Sequence, residues 1–191
     1  MAKNESGKRA RTREALIEAA SAVVGEKGFE RTGLEEVARR AGMSRGAIYG
    51  NFRDREALFL AVAERRWQPV APPFRPGATL REQMRILGET VAAEAEMRRA
   101  RAVGALSFRL YALTHEEMRS RLQKENSRLY AWATDNLLRF VDQADLPMPA
   151  ERFVRVLHAL SEGLILTHAL TPELITRKEI VAAFEALART D

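Results

Sequence analysis

The predicted class is all-α: an N-terminal three-helix region joined to a larger helical region, about nine helices in total. Three observations predict it. No run of alternating β-branched residues bounded by turns occurs along the chain. Apolar residues recur instead at i, i+3 and i+4, the spacing of one helix face. Four Thr-x-x-Glu pairs, Thr32…Glu35, Thr79…Glu82, Thr114…Glu117 and Thr176…Glu179, each precede such a pattern. A threonine oxygen can there accept from a helix N–H while the glutamate reaches back, as a capping box does.

The first helix buries Leu16, Ile17, Ala20, Val23 and Val24 and stops at "EKGF", where Gly28 suits a left-handed C-cap and Phe29 its apolar contact. Leu34, Val37, Ala38 and Ala41 form one face of a second helix, and Gly42 can take the positive φ of a tight turn. Ser44 is a preferred N-cap, and Ile48 and Phe52 give a third helix its buried side. A fourth helix starts at Asp54–Arg55. Residues 68–77, "QPVAPPFRPG", hold four of the seven prolines, so no regular helix crosses them. Helices are then expected at 79–95, 98–113, 115–143, 150–169 and 176–189, with "DLPMP" and "LTPEL" marking the last two breaks.

With 191 residues and 46% hydrophobic content, the chain can build a substantial core. The absence of cysteine excludes disulfides, thiolate metal sites and a cysteine nucleophile. The longest uninterrupted apolar runs fall short of a membrane span, which needs ~20 residues, and the basic N-terminus is not followed by an apolar signal core. A cytoplasmic protein with no membrane partner is expected. Residues 1–66 hold 14 Lys/Arg against 10 Asp/Glu, and residues 67–191 hold 17 against 16. Positive charge is thus concentrated at one end, either as a footprint for phosphate or as a solubilising tail. No G-x-S-x-G, P-loop or H-E-x-x-H pattern occurs, no metal or cofactor is implied, and no enzyme is expected.

Two short helices joined by a glycine-containing turn form a helix-turn-helix, whose second helix enters the DNA major groove. Gly46 and Gly50 lie inside that second helix, where each costs about 1 kcal/mol relative to alanine. Either a phosphate or backbone approaches them closely, or they serve helix–helix packing. The stretch "AGMSRGAIYGNFRDREALF" resembles the signature of the TetR family of bacterial transcriptional repressors, matching at Ala41, Gly42, Ser44, Gly46, Tyr49, Phe52 and Leu58. Asn51 stands where histidine is common and Arg55 where lysine is usual.

The resemblance implies a helix-turn-helix at residues 32–51 within a DNA-binding domain at 9–69, and an effector-binding and dimerisation domain at 70–191. Arg45 is expected to read guanine, with phosphate as its alternative partner, and Ala47 to touch a thymine methyl. Tyr49 is expected on phosphate rather than in the core. Ser44, Gly46 and Asn51 complete the reading helix, Thr32 and Gly33 aim a helix N-terminus at the backbone, and Arg55 is the leading phosphate contact. Lys8, Arg9 and Arg11 are expected to add an arm.

In the C-terminal region the resemblance implies a small-molecule pocket, for which Met84, Leu87, Phe108, Tyr111, Trp132 and His158 are candidates, with plain core as the alternative. It also implies a four-helix dimer interface. Phe153, Val156, Leu157, Leu160 and Leu164, with Ile180, Val181, Phe184 and Leu187, either form it or close the monomer core. The expected function is a ligand-responsive repressor, dimeric on an inverted-repeat DNA operator and released by a small-molecule effector. A ligand-free architectural DNA-binding dimer and an activator are the alternatives.

Overall fold

The computed structural model describes residues 2–66 and 70–188. Residues 68 and 69 of the expected linker, residue 69 as the expected end of the first domain, and residue 189 of the last expected helix lie outside the described residues, as does the side chain of Lys3. Among the described residues there are nine α-helices, one short 3-10 helix and no strand. The helices are α1 (Ala2–Lys27), α2 (Leu34–Arg40), α3 (Arg45–Asn51), α4 (Arg55–Arg66), α5 (Leu80–Arg99), α6 (Ala102–Thr114), α7 (Glu116–Leu138), α8 (Ala150–Leu170) and α9 (Arg177–Ala186), with the 3-10 turn at Gln143–Asp145.

The chain forms two compact units, one of residues 1–68 with 103–122, the other of 69–102 with 123–191. This differs from a division at 69/70, because α6 and the start of α7 pack with the N-terminal helices. Gly104 lets α6 lie against α1, its absent side chain facing Val24 and Gly25 at 3.6–3.9 Å. The core of this unit gathers Leu16, Val23, Val37, Ile48, Leu58 and Met118 around five aromatic rings, Phe52 among them. Phe29 is the hub, its ring centroid 4.9 Å from Phe59, 5.0 Å from Phe108 and 6.3 Å from Tyr111. The Tyr111 hydroxyl donates to Glu56 Oε1 at 2.8 Å, and burial first, then that carboxylate, pushes its pKa up to about 12.

In the second unit α5 packs on both α8 and α9 around Met84, Val91, Leu137, Phe153, Ile180 and Phe184. The prolyl segment is pinned there: buried Gln83 donates to the Arg75 carbonyl at 2.5 Å and accepts from the Arg75 N–H at 3.1 Å. α8 is long and apolar enough to span a membrane by length and composition, a length the uninterrupted apolar runs had not indicated. The core helix of a soluble protein passes the same test, and α8 contributes Phe153, Val154 and Leu157 to this core.

Two of the four expected capping boxes form, at Thr79/Glu82 and Thr176/Glu179. Thr32 instead donates its hydroxyl to the Gly28 carbonyl at 2.7 Å, and Gly33 takes the N-cap of α2 without a side-chain bond. Thr114 ends α6, its hydroxyl donating to the carbonyls of Tyr111 and Leu110 at 3.0 and 3.2 Å. α7 stops at Leu138 and not at 143, because Val141 and Leu146 turn back into the core.

The expected dimer residues divide. Phe153, Leu157, Ile180 and Phe184 are buried inside the second unit, because α5 covers the centre of both apolar stripes. Val156 remains exposed, and Leu160, Leu164, Val181 and Leu187 are half-buried along the stripe edges.

Candidate nucleic-acid interface

The α2–α3 turn is built by glycine. Gly42 adopts φ +65°, its N–H donates to the Arg39 carbonyl at 3.1 Å, and the Met43 N–H to the Ala38 carbonyl at 2.9 Å. This is a Schellman closure, which satisfies the last carbonyls of α2 and reverses the chain within four residues. Ser44 then takes the N-cap of α3 in extended geometry, its exposed hydroxyl making no capping bond. Ile48 is fully buried and Phe52 nearly so, which fixes the inner face of α3. The opposite face carries Arg45, Gly46, Tyr49 and Gly50, all exposed.

Tyr49 is 51% exposed, so it is not a core residue. Its hydroxyl accepts from Arg45 Nη2 at 3.3 Å, while Arg45 Nη1 donates to Glu35 Oε1 at 3.0 Å. Tyr49 foremost, and Glu35 after it, hold the Arg45 pKa above its ordinary value. Glu35 was not singled out in the sequence as a site residue, since its three-residue spacing to Thr32 reads as a cap. A Cβ added at Gly50 meets nothing within 4 Å, and one at Gly46 meets only Ser44 Oγ at 3.6 Å. Packing within the chain therefore does not require either glycine among the described residues. Ala47 is half-buried beside them.

Asn51 turns inward: its Nδ2 donates to the Ala47 carbonyl at 2.8 Å, and its buried Oδ1 has no partner among the described residues. Thr32 is buried with its hydroxyl spent on the turn, so its side chain does not reach the surface, whereas Gly33 is exposed. Arg55 makes contacts within the fold. Its Nη2 donates to the Phe29 carbonyl at 2.6 Å, with those of Glu30 and Thr32 at 3.3 and 3.4 Å, and its guanidinium lies 4.5 Å from the Phe59 ring centroid. Through Nη2 it holds the turn after α1, and the residue is half-buried. α4 is capped by Asp54, whose Oδ1 accepts from the Ala57 N–H at 2.6 Å. Arg53 first, then that amide, keep the Asp54 carboxyl below its ordinary pKa.

Lys8, Arg9 and Arg11 lie exposed on the first turns of α1, so they form a helical ridge and not an extended arm. Arg9 Nη2 donates to the Gly50 carbonyl at 3.3 Å, which ties that ridge to the end of α3. Arg13, which sequence reasoning left unassigned, stacks its guanidinium 4.9 Å from the Phe52 ring centroid.

The six expected pocket residues are divided between the two units. Phe108 and Tyr111 belong to the core of the first unit, Met84 and Leu87 to that of the second, and Trp132 is 46% exposed. His158 pairs with a residue not anticipated, Tyr130, whose hydroxyl lies 3.0 Å from His158 Nδ1. Thr134, one helical turn beyond Tyr130 on α7, has a buried hydroxyl with no partner among the described residues.

Residues 16–62 match the family model described as bacterial regulatory proteins, tetR family. The HTH-type transcriptional regulator SrpR of Pseudomonas putida is 33% identical over 76 residues, 40% of this chain and 36% of that protein. The HTH-type transcriptional repressor BepR of Brucella suis is 43% identical over 56 residues, 29% of this chain and 27% of that protein. The aligned stretch thus spans only about a quarter to a third of these relatives' lengths. Beyond it the fold continues to agree: the crystal structure of a TetR-family regulator from Rhodococcus sp. superposes with a TM-score of 0.74 at 18% identity, over 94% of this chain and all of that one. Residues 16–62 thus carry a helix-turn-helix that matches the tetR family of bacterial regulatory proteins, within an all-helical fold shared over nearly the whole length with a TetR-family regulator structure.

Proposed function

We propose that the protein is a cytoplasmic DNA-binding transcriptional regulator, a repressor that binds an inverted-repeat operator as a homodimer and leaves it on binding a small-molecule effector. The observation that carries this reading is the outer face of α3. Ser44, Arg45 and Tyr49 stand exposed there beside Gly46 and Gly50, whose missing side chains leave space that nothing in the described chain fills. Two helical glycines that cost stability without serving the fold are explained by a surface that approaches from outside. The Arg45 guanidinium matches guanine O6 and N7, while Tyr49 and the Lys8–Arg11 ridge suit phosphates. For the dimer, the half-used stripe edges Val156, Leu160, Leu164, Val181 and Leu187 are the surface a second copy would cover. For the effector, the buried Thr134 hydroxyl, without a hydrogen-bond partner among the described residues, gives the second unit a polar group that a ligand would satisfy.

The test is selection of bound duplexes from random DNA. The expected product is an inverted repeat whose half-sites are spaced by one helical turn, ~34–36 Å, or a multiple of it. Arg45→Ala should then cost about 1–3 kcal/mol of binding and relax preference at one base pair per half-site. Tight binding of a monomer to one isolated half-site would overturn the dimeric reading.

The glycines give a second, opposite-signed expectation. Gly50→Ala should stabilise the fold by about 0.5–1 kcal/mol, since the site is helical and unobstructed. The same variant should weaken DNA binding. Urea denaturation and gel-shift titration on one preparation read both signs, and unchanged affinity would remove the close-approach role of Gly50.

A further inference from the structure

We propose that Glu35 is a specificity-determining residue: it positions the Arg45 guanidinium for base reading and, by its charge, keeps binding to non-cognate DNA weak. The proposal rests on the reading of α3 as the DNA-reading helix and adds to it a role for a carboxylate on the same surface.

The geometry is a clamp. Arg45 Nη1 donates to Glu35 Oε1 at 3.0 Å from the side of α2, and Nη2 donates to the Tyr49 hydroxyl at 3.3 Å, one turn further along α3. Each η nitrogen carries a second N–H, so a guanidinium held in this way keeps donors for a base edge. The carboxylates of α2 divide their work. Glu36 pairs with Lys27 at 2.7 Å and ties α2 to α1, whereas Glu35 turns to α3.

The Glu35–Arg45 pair is not explained by folding. The two side chains are 81% and 55% exposed, and an ion pair in that setting adds at most about a factor of five to the folding equilibrium. Nor does a carboxylate favour a surface that must meet phosphate. Non-specific binding is almost wholly phosphate neutralisation, so a negative charge there opposes binding to every sequence. Its cost is offset only where its partner finds the correct base, because Arg45 on guanine keeps Glu35 as a neighbour. An arginine without this clamp would take the nearest phosphate on any duplex. Glu35 therefore converts a general DNA-binding charge into a selective one.

The experiment measures wild type, Glu35→Gln and Glu35→Asp on two duplexes across a range of salt concentrations. One duplex is that selected by the wild type, the other a scramble of the same composition. Glu35→Gln is expected to bind the scrambled duplex about five-fold more tightly, with a salt slope steeper by ~1 as Arg45 moves to phosphate. Its affinity for the selected duplex should stay within about two-fold, so the preference falls several-fold. Glu35→Asp keeps the charge and should keep binding to the scramble weak. Equal tightening on both duplexes would leave only a bulk charge effect, and equal weakening would mean a structural role; either result overturns the proposal. A wild type that selects no sequence would instead overturn the DNA-reading role of α3 itself.

Discussion

Arg55→Ala is expected to destabilise the protein by about 3 kcal/mol while leaving the salt dependence of DNA binding unchanged. The guanidinium donates to the Phe29 carbonyl at 2.6 Å and lies over the rings of Phe59 and Tyr111, at 4.5 and 5.7 Å from their centroids. A hydrogen bond from a charged group contributes roughly 1.5–3 kcal/mol, and a partly desolvated cation–π contact adds about 1–2. Alanine removes both and leaves the Phe29 carbonyl only the Thr32 N–H, at 3.2 Å. Arg55→Lys should recover only part of the loss, since an ammonium offers neither the planar stack nor the fork. Urea denaturation reads the first effect. A log–log plot of affinity against salt reads the second, where losing a phosphate contact would instead lower the slope by about 1. A stable Arg55→Ala protein with a shallower slope would restore the phosphate role expected from sequence.

Gly88→Val should be the most damaging single change in the second unit, costing about 3 kcal/mol or more. α5 and α9 cross at Gly88, where an added Cβ would stand 2.9 Å from the Val181 Cα and 3.4 Å from Phe184 Cβ. The obstruction at Val181 is backbone, which cannot swing aside as a side-chain tip can, so α9 must lift from the core that Ile180 and Phe184 complete. Valine's higher helix propensity offsets only a fraction of a kcal/mol of that displacement. Gly88→Ala should give a smaller loss of the same sign, about 1–3 kcal/mol. A thermal melt showing Gly88→Ala more stable than wild type would mean that the two helices part without cost. The contrast with Gly50, where the same substitution is expected to stabilise, isolates packing from propensity.

Neither residue is legible without the fold, and the reasons are specific. Gly88 sits within "LGET", where nothing nearby in the chain indicates a crossing helix 93 residues later. Arg55 lies where the resembled family usually has a basic residue, so sequence alone points its charge toward DNA. The carbonyls it meets are 23–26 residues upstream, however, and converge only once the turn after α1 has folded. Thr32 and Thr114 satisfy the capping-box pattern as well as Thr79 and Thr176 do. They fail because each hydroxyl is turned back to donate to upstream carbonyls, that of Gly28 for Thr32 and the last ones of α6 for Thr114.

What the sequence determined by itself is what a short window of chain controls. The all-helical class follows from apolar periodicity, the α1 and α2 terminations from Gly28 and Gly42 at positive φ, and the outward face of α3 from Ile48 and Phe52 taking the inner one. Those features need only neighbours within a turn or two, so the residues that specify them are adjacent in the chain. Tertiary structure alone decided which unit α6 joins, that Phe153, Leu157, Ile180 and Phe184 are core, and that Glu35 holds Arg45. Each of these is a choice among partners that are equally suitable chemically. An apolar stripe buries as well against α5 as against a second copy, and a carboxylate pairs with whichever cation the packing brings within about 3 Å. Only the packing of distant helices settles which partner is near.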